Sequence, residues 1–278
     1  MDYKKLYEQK CMELDQLCQQ FESLKVDHVK LQTTNRKQKV QITNSQTAKN
    51  GYKEERFVCE FLNSKEVPEK YRGEETHIPV PGVYKSDIQS SDGKFKAQVK
   101  KYKQRQFQQV DRHWVKDYIS NIPEWEKNGD ILKNLCEIPL SADGKHVDKS
   151  QRRKILSTKN YSEQELQDFL QVLENGKKTF LKYIFQGTVS EHAPEYIIGV
   201  EYDKKIRKSL TIYKISDVID YLSNSSFTIS KRKTVICLGD CLSLQRKGGD
   251  AGRKGGNQLQ CKLIFSRLKI KEHFYHRF

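Results

Sequence analysis

The chain has 278 residues and an excess of positive charge: 51 Lys and Arg stand against 36 Asp and Glu, for a formal net charge of +15. This length allows one large domain, or one domain with an appendage, and this charge predicts a polyanionic partner such as nucleic acid or an anionic membrane surface. The sequence has no run of ~18 apolar residues that would predict a membrane span and no signal peptide, and its seven scattered cysteines include no Cys-X-X-Cys pair, which predicts reduced thiols in a cytoplasmic protein rather than a zinc site.

The first 45 residues predict a long helix. Positions at alternating spacings of four and three between Tyr3 and Leu31 are apolar except Lys10 and His28, which weaken the pattern, and no Gly or Pro occurs before Gly51. The result is a narrow apolar seam suited to a coiled coil. Two alternatives follow: the helix joins two copies of the chain, or it packs back on its own domain.

A second predicted helix, at residues 51–62, places a carboxylate within its own apolar side. The apolar stripe consists of Phe57, Val58, Phe61 and Leu62. At about 100° per residue, Glu54 falls near the middle of the stripe and Glu55 at its edge. An ionised carboxylate in an apolar stripe is costly unless a cation or hydrogen-bond donors meet it. Glu54 therefore either faces a functional cation or pairs with a lysine in an ordinary way.

Residues 84–101 predict a β-hairpin and are the most informative part of the chain. Asp92-Gly93 is typical of a two-residue type I′ turn, in which both central residues have positive φ. With this turn at the centre, Asp87 lies opposite Gln98, and Lys100 points to the same face because side chains alternate along a strand. The hairpin therefore gathers a carboxylate, an amide and an ammonium group, a set suited to a divalent cation and a phosphate.

Asp87, the ten residues after it and Gln98-Val99-Lys100 resemble the active-site hairpin of the PD-(D/E)XK nuclease superfamily. The chain resembles the variant with Ser-Asp in place of Pro-Asp, here Ser86-Asp87, and Gln-X-Lys in place of Glu-X-Lys. That variant occurs among type II restriction endonucleases that cut short sites. The resemblance implies an α/β fold with a mixed central sheet flanked by helices, to which this chain adds the N-terminal long helix.

The resemblance also implies a Mg²⁺ site beside the hairpin. The implied metal ligands are Asp87, the side-chain oxygen of Gln98, the backbone carbonyl of Val99, and Glu54. Helical phase favours Glu54, with Glu55 as the alternative. Bound Mg²⁺ would polarise the scissile phosphate and lower the pKa of a bound water, and Lys100 would orient that water or stabilise charge on the phosphate. The implied products carry a 5′-phosphate and a 3′-hydroxyl. The implied catalytic residues are Asp87, Gln98, Lys100 and Glu54.

Basic residues continue directly from the predicted catalytic strand. Lys101, Lys103 and Arg105 follow Lys100, and we expect them to grip the phosphates that flank the cut. Amphipathic spacing predicts helices at residues 111–122, 161–173 and 216–222. Short apolar runs predict strands at residues 196–200, 210–213 and 234–238.

A glycine-rich basic segment lies near the end of the chain. Five of the nine residues 248–256 are glycine, so the backbone there can approach another surface closely. Arg and Lys donate to guanine, and Asn and Gln can bond adenine in a bidentate manner. The segment therefore predicts a loop that enters a DNA groove. Its candidate DNA-binding residues are Arg246, Lys247, Arg253, Lys254, Asn257, Gln258 and Gln260.

Together these features predict a type II restriction endonuclease that requires Mg²⁺ and hydrolyses double-stranded DNA at a short sequence. The nuclease domain would occupy residues 46–278, with the recognition segment at about 231–265. The helix at residues 1–45 would pair two such domains in a homodimer for double-strand cleavage. Two alternatives remain: a repair or junction-resolving nuclease of the same fold, and a non-catalytic nucleic-acid-binding coiled-coil protein that binds without metal-dependent cutting. No membrane partner is expected.

Overall fold

The computed structural model describes residues 52–79, 85–136, 161–231, 235–246 and 258–278. The chain divides into two compact units, Met1–Glu54 and Glu55–Phe278. The predicted N-terminal helix and its coiled coil, at residues 1–45, lie outside the described residues. The glycine-rich residues 247–257 also lie outside them. The predicted nuclease domain at residues 46–278 contains the whole of the second unit.

The first of two sheets is mixed and has six strands in the order β1-β2-β3-β5-β6-β11. The strands are β1 (Thr76–His77), β2 (Ile88–Ser90), β3 (Lys96–Lys103), β5 (Tyr196–Asp203), β6 (Ile206–Lys214) and β11 (Phe274–Arg277). β3 and β5 are parallel, and the other neighbours are antiparallel. In β5, Ile197, Ile198 and Val200 are all buried, as expected of a strand covered on both faces. This sheet confirms the predicted mixed central sheet.

The second sheet was not predicted from the sequence. It is antiparallel and has five strands in the order β4-β10-β9-β8-β7. The strands are β4 (Gln108–Trp114), β7 (Phe227–Ile229), β8 (Val235–Leu238), β9 (Leu242–Arg246) and β10 (Gln258–Leu263). Burial alternates along β10, where Leu259, Cys261 and Leu263 face the core. One face of this sheet is therefore apolar and packed, and the other carries polar side chains.

The described helices flank the first sheet and pack between the two sheets. They are α1 (residues 52–62), α2 (Val115–Asn121), α3 (Pro123–Glu126), α4 (Gly129–Cys136), α5 (Glu163–Asn175), α6 (Lys177–Gln186) and α7 (Ile215–Ser223). A capping box starts α5, where Ser162 Oγ accepts from the Glu165 N–H and the Glu165 carboxylate accepts from the Ser162 N–H. None of the described helices combines the length and apolar composition that a membrane span requires.

Two hydrophobic cores cover the two faces of the first sheet. On one face, Tyr102 and Ile197 belong to a large core with α2 to α7 and the second sheet. On the other face, Val99 and Ile198 belong to a smaller core with residues 58–62 of α1. Because β3 contributes to both cores, packing on both faces fixes its position. The polar residues at the edge of β3 that faces β2 are therefore held in place as well.

The predicted register of the hairpin is confirmed. Ile88 faces Ala97 and Gln89 faces Lys96 across β2 and β3. The Asp87 N–H donates at 2.8 Å to the carbonyl of Ala97, the residue that also faces Ile88, so the regular pairing ends at Ile88. The hairpin therefore presents Asp87 beside the β3 residues that follow Ala97.

The predicted two-residue type I′ turn is wrong. Gly93 has a φ of 71°, but Asp92 does not share the positive φ that this turn needs. The connection is instead a four-residue loop, residues 91–94, closed by the Ser90 N–H on the Phe95 carbonyl at 2.8 Å. Ser90 Oγ also accepts from the Phe95 N–H at 2.9 Å. Because this loop has the same centre as the predicted turn, the register is unchanged.

The predicted helix at residues 111–122 is correct only in its second half. Residues up to Trp114 belong to β4, and α2 begins at Val115. β4 pairs with β10, with Asp111 opposite Cys261. A partner strand about 150 residues later in the chain therefore decides the structure here, which the local apolar spacing does not report. The other predicted helices and strands are confirmed within a few residues by α5, α7, β5, β6 and β8.

Candidate active site

The hairpin brings Asp87 and Lys100 together. Asp87 Oδ2 accepts a hydrogen bond from the Val99 backbone N–H at 2.7 Å. Lys100 Nζ lies 3.6 Å from the same oxygen, and the side chains of Lys100 and Asp87 are 21% and 28% exposed. The backbone donor fixes the carboxylate and the ammonium group balances its charge. Both groups remain within reach of a ligand from solvent.

Gln98 follows Ala97 in β3 and carries an unused acceptor. Its side chain is almost fully buried, at 3% exposure. Nε2 makes a long hydrogen bond of 3.5 Å to the Lys85 carbonyl. Oε1 is buried and accepts no hydrogen bond from the described part of the chain. A buried amide oxygen without a partner costs free energy, and a hard cation at this position would satisfy it.

Glu55 is coupled electrostatically to this pair. Burial raises the pKa of the Glu55 carboxyl, the nearby Asp87 charge raises it further, and Lys100 opposes both. This electrostatic coupling makes Glu55 the alternative to Glu54 that the charges of Asp87 and Lys100 favour. Glu54 is buried but belongs to the first compact unit, and its role as a metal ligand stays a prediction.

A buried carboxylate organises a second group of polar residues beside the hairpin. We call Lys85, Asp111, His113 and Tyr118 the Asp111 cluster. Asp111 Oδ1 lies 3.5 Å from Lys85 Nζ and 3.2 Å from His113 Nε2, and Asp111 Oδ2 accepts from the Tyr118 hydroxyl at 3.1 Å. Asp111 is 8% exposed, so water scarcely reaches its carboxylate, and the hydrogen bonds from Lys85 and Tyr118 offset its burial cost.

Lys85 belongs to this cluster and also lies near Asp87 and Lys100. Burial lowers the pKa of the Lys85 ammonium, Asp111 opposes this shift, and repulsion from Lys100 adds to it. Lys85 was not among the predicted site residues. Its position two residues before Asp87 is the signal that could have found it.

The basic residues after Lys100 lie where the sequence predicts, on an exposed strand end and turn. Lys101 and Lys103 are exposed in β3, and Lys101 Nζ lies 3.7 Å from the centre of the Tyr202 ring. Arg105 lies in the turn between β3 and β4 with a φ of 61°, and its N–H donates to Ser266 Oγ at 3.1 Å. A left-handed arginine costs about 1–2 kcal/mol, so this exposed turn holds its shape against a local preference.

The recognition residues that the structure describes lie in strands, not in a loop. Gln258 and Gln260 are in β10, where they face Trp114 and Arg112 of β4, and the prediction that they belong to a loop is wrong. Both side chains are partly exposed on the polar face of the second sheet. Arg246 ends β9, and nothing is described of its side chain. Lys247, Arg253, Lys254 and Asn257 lie outside the described residues.

Residues 86–268 match the sequence family described as R.HinP1I restriction endonuclease. The chain belongs to the R.HinP1I restriction endonuclease family. No curated protein matches the sequence significantly. Among solved structures, the restriction endonuclease MspI in complex with its cognate DNA is 14% identical, with a TM-score of 0.45 over 73% of this chain and 75% of that one.

Membership of the R.HinP1I family makes the chain a type II restriction endonuclease, a site-specific deoxyribonuclease that acts on DNA. The superfamily predicted from Ser86-Asp87 and Gln98-Val99-Lys100 is therefore confirmed. The two alternatives, a repair or junction-resolving nuclease and a non-catalytic coiled-coil protein, are set aside. In the described part of the chain, no three His, Cys, Asp or Glu side chains are grouped to hold a metal ion. The predicted ligand set includes the amide of Gln98 and the backbone carbonyl of Val99, which are not among these four residue types, so this observation does not test it.

Proposed function

We propose that this endonuclease uses Mg²⁺ to hydrolyse double-stranded DNA at a short sequence, leaving 5′-phosphate and 3′-hydroxyl ends. The observation that carries this proposal is the unpartnered Gln98 Oε1, one residue before Val99, whose N–H bonds the Asp87 carboxylate. A carboxylate and an amide oxygen are hard ligands of the kind that Mg²⁺ prefers. The donor set therefore fits the metal.

Asp87, Gln98 and Val99 would hold the ion. The Val99 carbonyl joins this set because its N–H bonds Asp87 and both groups of one residue point to the same side of a strand. One further carboxylate would come from α1. Electrostatic coupling to Asp87 supports Glu55, and helical phase supports Glu54. When bound, Mg²⁺ supplies a polarised phosphate and a water of lowered pKa.

Lys100 would supply a positive charge next to the reacting phosphate. Its ammonium lies 3.6 Å from Asp87 Oδ2, beside the ligands and accessible to substrate. A lysine here can hold the attacking water by a hydrogen bond, and it can stabilise the extra negative charge on the phosphate in the transition state. Gln98 in place of a glutamate leaves the ligand pair with a single negative charge, which makes a further carboxylate valuable for metal affinity.

The DNA would lie along the exposed basic residues and the polar face of the second sheet. Lys101, Lys103 and Arg105 are exposed beside the catalytic strand and would bind phosphates. The sequence readers would be Gln258, Gln260 and the segment from Arg246 to Asn257, which contains Lys247, Arg253 and Lys254. We also propose a homodimer through residues 1–45, which would pair two sites. The described cysteines are free thiols, which supports an intracellular setting.

The direct test is incubation of the purified protein with an unmethylated bacteriophage genome, with Mg²⁺ and with EDTA. We expect discrete bands with Mg²⁺ and intact DNA with EDTA, and no bands from a matched Asp87→Asn protein. The fragments should be joined by DNA ligase without prior kinase treatment, because ligase requires a 5′-phosphate and a 3′-hydroxyl. Cutting in EDTA would contradict the metal requirement, and fragments that ligase cannot join would contradict the end chemistry.

A further inference from the structure

We propose that Lys85 is a positioning residue that holds Asp87 and Gln98 in place for the metal. This inference rests on the function proposed above and adds a residue outside the Ser-Asp and Gln-X-Lys motifs. Lys85 precedes Ser86-Asp87 directly, and its own carbonyl accepts from Gln98 Nε2 at 3.5 Å. The carbonyl of Lys85 therefore contacts the Gln98 side chain directly, and its backbone continues through Ser86 to Asp87.

The ammonium group ties this backbone to the helical layer. Lys85 Nζ donates to the Tyr183 carbonyl at 2.9 Å, in the last turn of α6, where the carbonyls carry partial negative charge. It also lies 3.5 Å from Asp111 Oδ1. Two acceptors on different elements, α6 and β4, thus fix the position of one side chain just ahead of β2.

The surroundings of Lys85 leave room for its stem and little else. Gly187 ends α6 with a φ of 79°, and a Cβ at this position would lie 3.0 Å from Lys85 Cδ. Glycine therefore serves both the left-handed turn and the passage of the lysine stem. A side chain held at its stem and at its tip has lost most of its rotamers, so it can transmit a fixed position to its own backbone.

Asp111 is fixed in turn by groups that do not contact the hairpin ligands. Its Oδ2 accepts from Tyr118 at 3.1 Å, and His113 Nε2 lies 3.2 Å from its Oδ1. Tyr118 is 1% exposed, so this anchor sits in the core between the sheets. The line of contacts runs from the core through Asp111 and Lys85 to Gln98. Such outer contacts orient metal ligands, and their loss typically costs about 10- to 100-fold in metal affinity or activity.

A lysine this close to Lys100 could instead contact the DNA backbone. The geometry favours positioning, because the Lys85 ammonium already faces two acceptors in the protein, the Tyr183 carbonyl and Asp111 Oδ1. A phosphate contact would have to compete with both. The two roles differ in what a substitution changes: positioning affects metal binding and kcat, whereas a phosphate contact affects DNA affinity and its salt dependence.

The test compares Lys85→Met and Lys85→Arg with wild type and with Lys94→Met. Lys94 is a matched control because its side chain is 80% exposed and pairs with Asp92 on the surface. Three quantities are measured: Mn²⁺ affinity of the protein without DNA, by electron paramagnetic resonance; DNA affinity in EDTA; and kcat against Mg²⁺ concentration. For Lys85→Met we expect Mn²⁺ affinity and kcat to fall about 10-fold or more, with DNA affinity within about threefold of wild type.

Lys85→Arg should recover part of the loss, because a guanidinium can still donate to the Tyr183 carbonyl, and Lys94→Met should match wild type. Unchanged Mn²⁺ affinity in Lys85→Met would overturn the proposal, as would a loss confined to DNA affinity. If Lys85→Met does not fold, Asp111→Asn supplies the second test, with the same fall in Mn²⁺ affinity expected. If wild-type protein itself cleaves without a divalent metal, the proposed function fails and the role of Lys85 fails with it.

Discussion

Replacement of Lys100 by methionine isolates its charge from the rest of the site. Lys100 Nζ lies 3.6 Å from Asp87 Oδ2, a separation worth about 5 kcal/mol for full charges at an effective dielectric constant of ~20. The pair is partly exposed, and Asp87 keeps its bond to the Val99 N–H. The net cost to the free energy of unfolding is therefore about 1 kcal/mol or less, and Lys100→Met should fold.

The catalytic cost should be far larger. If the ammonium stabilises negative charge on the phosphate in the transition state, its loss removes an interaction of the oxyanion-hole kind, and kcat should fall about 10²- to 10³-fold. Metal affinity should not fall with it. Lys100 is the cation that offsets Asp87 and Glu55, so its removal leaves the carboxylates more negative and more attractive to a divalent ion.

The assay is single-turnover cleavage of a plasmid, with Mn²⁺ affinity measured in parallel on the protein alone. Lys101→Met is the matched control, since Lys101 is the exposed neighbour in the same strand. It should weaken DNA binding, reduce the salt slope of binding by about one unit and leave kcat nearly unchanged. Cleavage by Lys100→Met within tenfold of wild type would refute the role of Lys100. Loss of metal affinity together with cleavage would show that its role is structural.

Four further changes test other parts of the molecule. Asp87→Asn keeps an acceptor for the backbone but loses a metal ligand, so cleavage should fall about 10³-fold while gel-shift affinity without metal is retained; loss of binding as well would contradict this. The pKa of Glu55 is raised in the folded state, so the folded state holds this proton more tightly than the unfolded state does. The stability that the proton contributes is complete below the ordinary pKa of a glutamate and is lost as pH rises through the raised pKa. Glu55→Gln should therefore raise the melting temperature of the metal-free protein at about pH 7 but not at about pH 4, and equal shifts at both would refute the coupling. Gly199→Ala would place a Cβ 2.9 Å from Tyr102 Cε1, behind the catalytic strand, and should destabilise the protein by about 1–3 kcal/mol in urea unfolding; an unchanged midpoint would show that the ring moves freely. Gln260→Ala should weaken cognate binding by about 1–3 kcal/mol and leave nonspecific binding unchanged in competition gel shifts, and an equal loss on both DNAs would remove it from the sequence readers.

The hairpin shows how far local sequence reaches. A turn centred on Asp92-Gly93 predicts the register of the hairpin, and the structure has it where Ile88 faces Ala97 and Gln89 faces Lys96. The turn type does not follow, because Ser90 Oγ bonds the Phe95 N–H and opens a four-residue loop. The register survives this difference because any loop with the same centre aligns the same pairs. A loop that was longer by one residue would have moved Asp87 to another partner.

Residues 111–114 show where local pattern fails. The spacing of Trp114, Val115, Tyr118 and Ile119 predicts one helix from Asp111 onwards, yet residues 111–114 form the end of β4. A short apolar segment fits either structure, and β10 decides by offering a strand edge about 150 residues later in the chain. The same pairing carries Gln258 and Gln260 from a predicted loop into a strand. Strand pairing at this separation is not encoded in any window of local spacing.

The amino-acid sequence by itself determined the chemistry: a basic chain, a Ser-Asp and Gln-X-Lys hairpin, and the alternation that places Asp87, Gln98 and Lys100 on one face. Those features are local, since a turn and a period of two suffice to specify them. The tertiary structure decided what surrounds them. Lys85 contacts Asp111, which is 26 positions away in the chain, and Tyr183, which is 98 positions away. The Lys85 ammonium and the Asp111 carboxylate are held together because both are withdrawn from water. Only tertiary packing withdraws such groups from water and brings them into contact. The series of contacts from the core through Asp111 and Lys85 to Gln98 therefore follows from the tertiary structure alone.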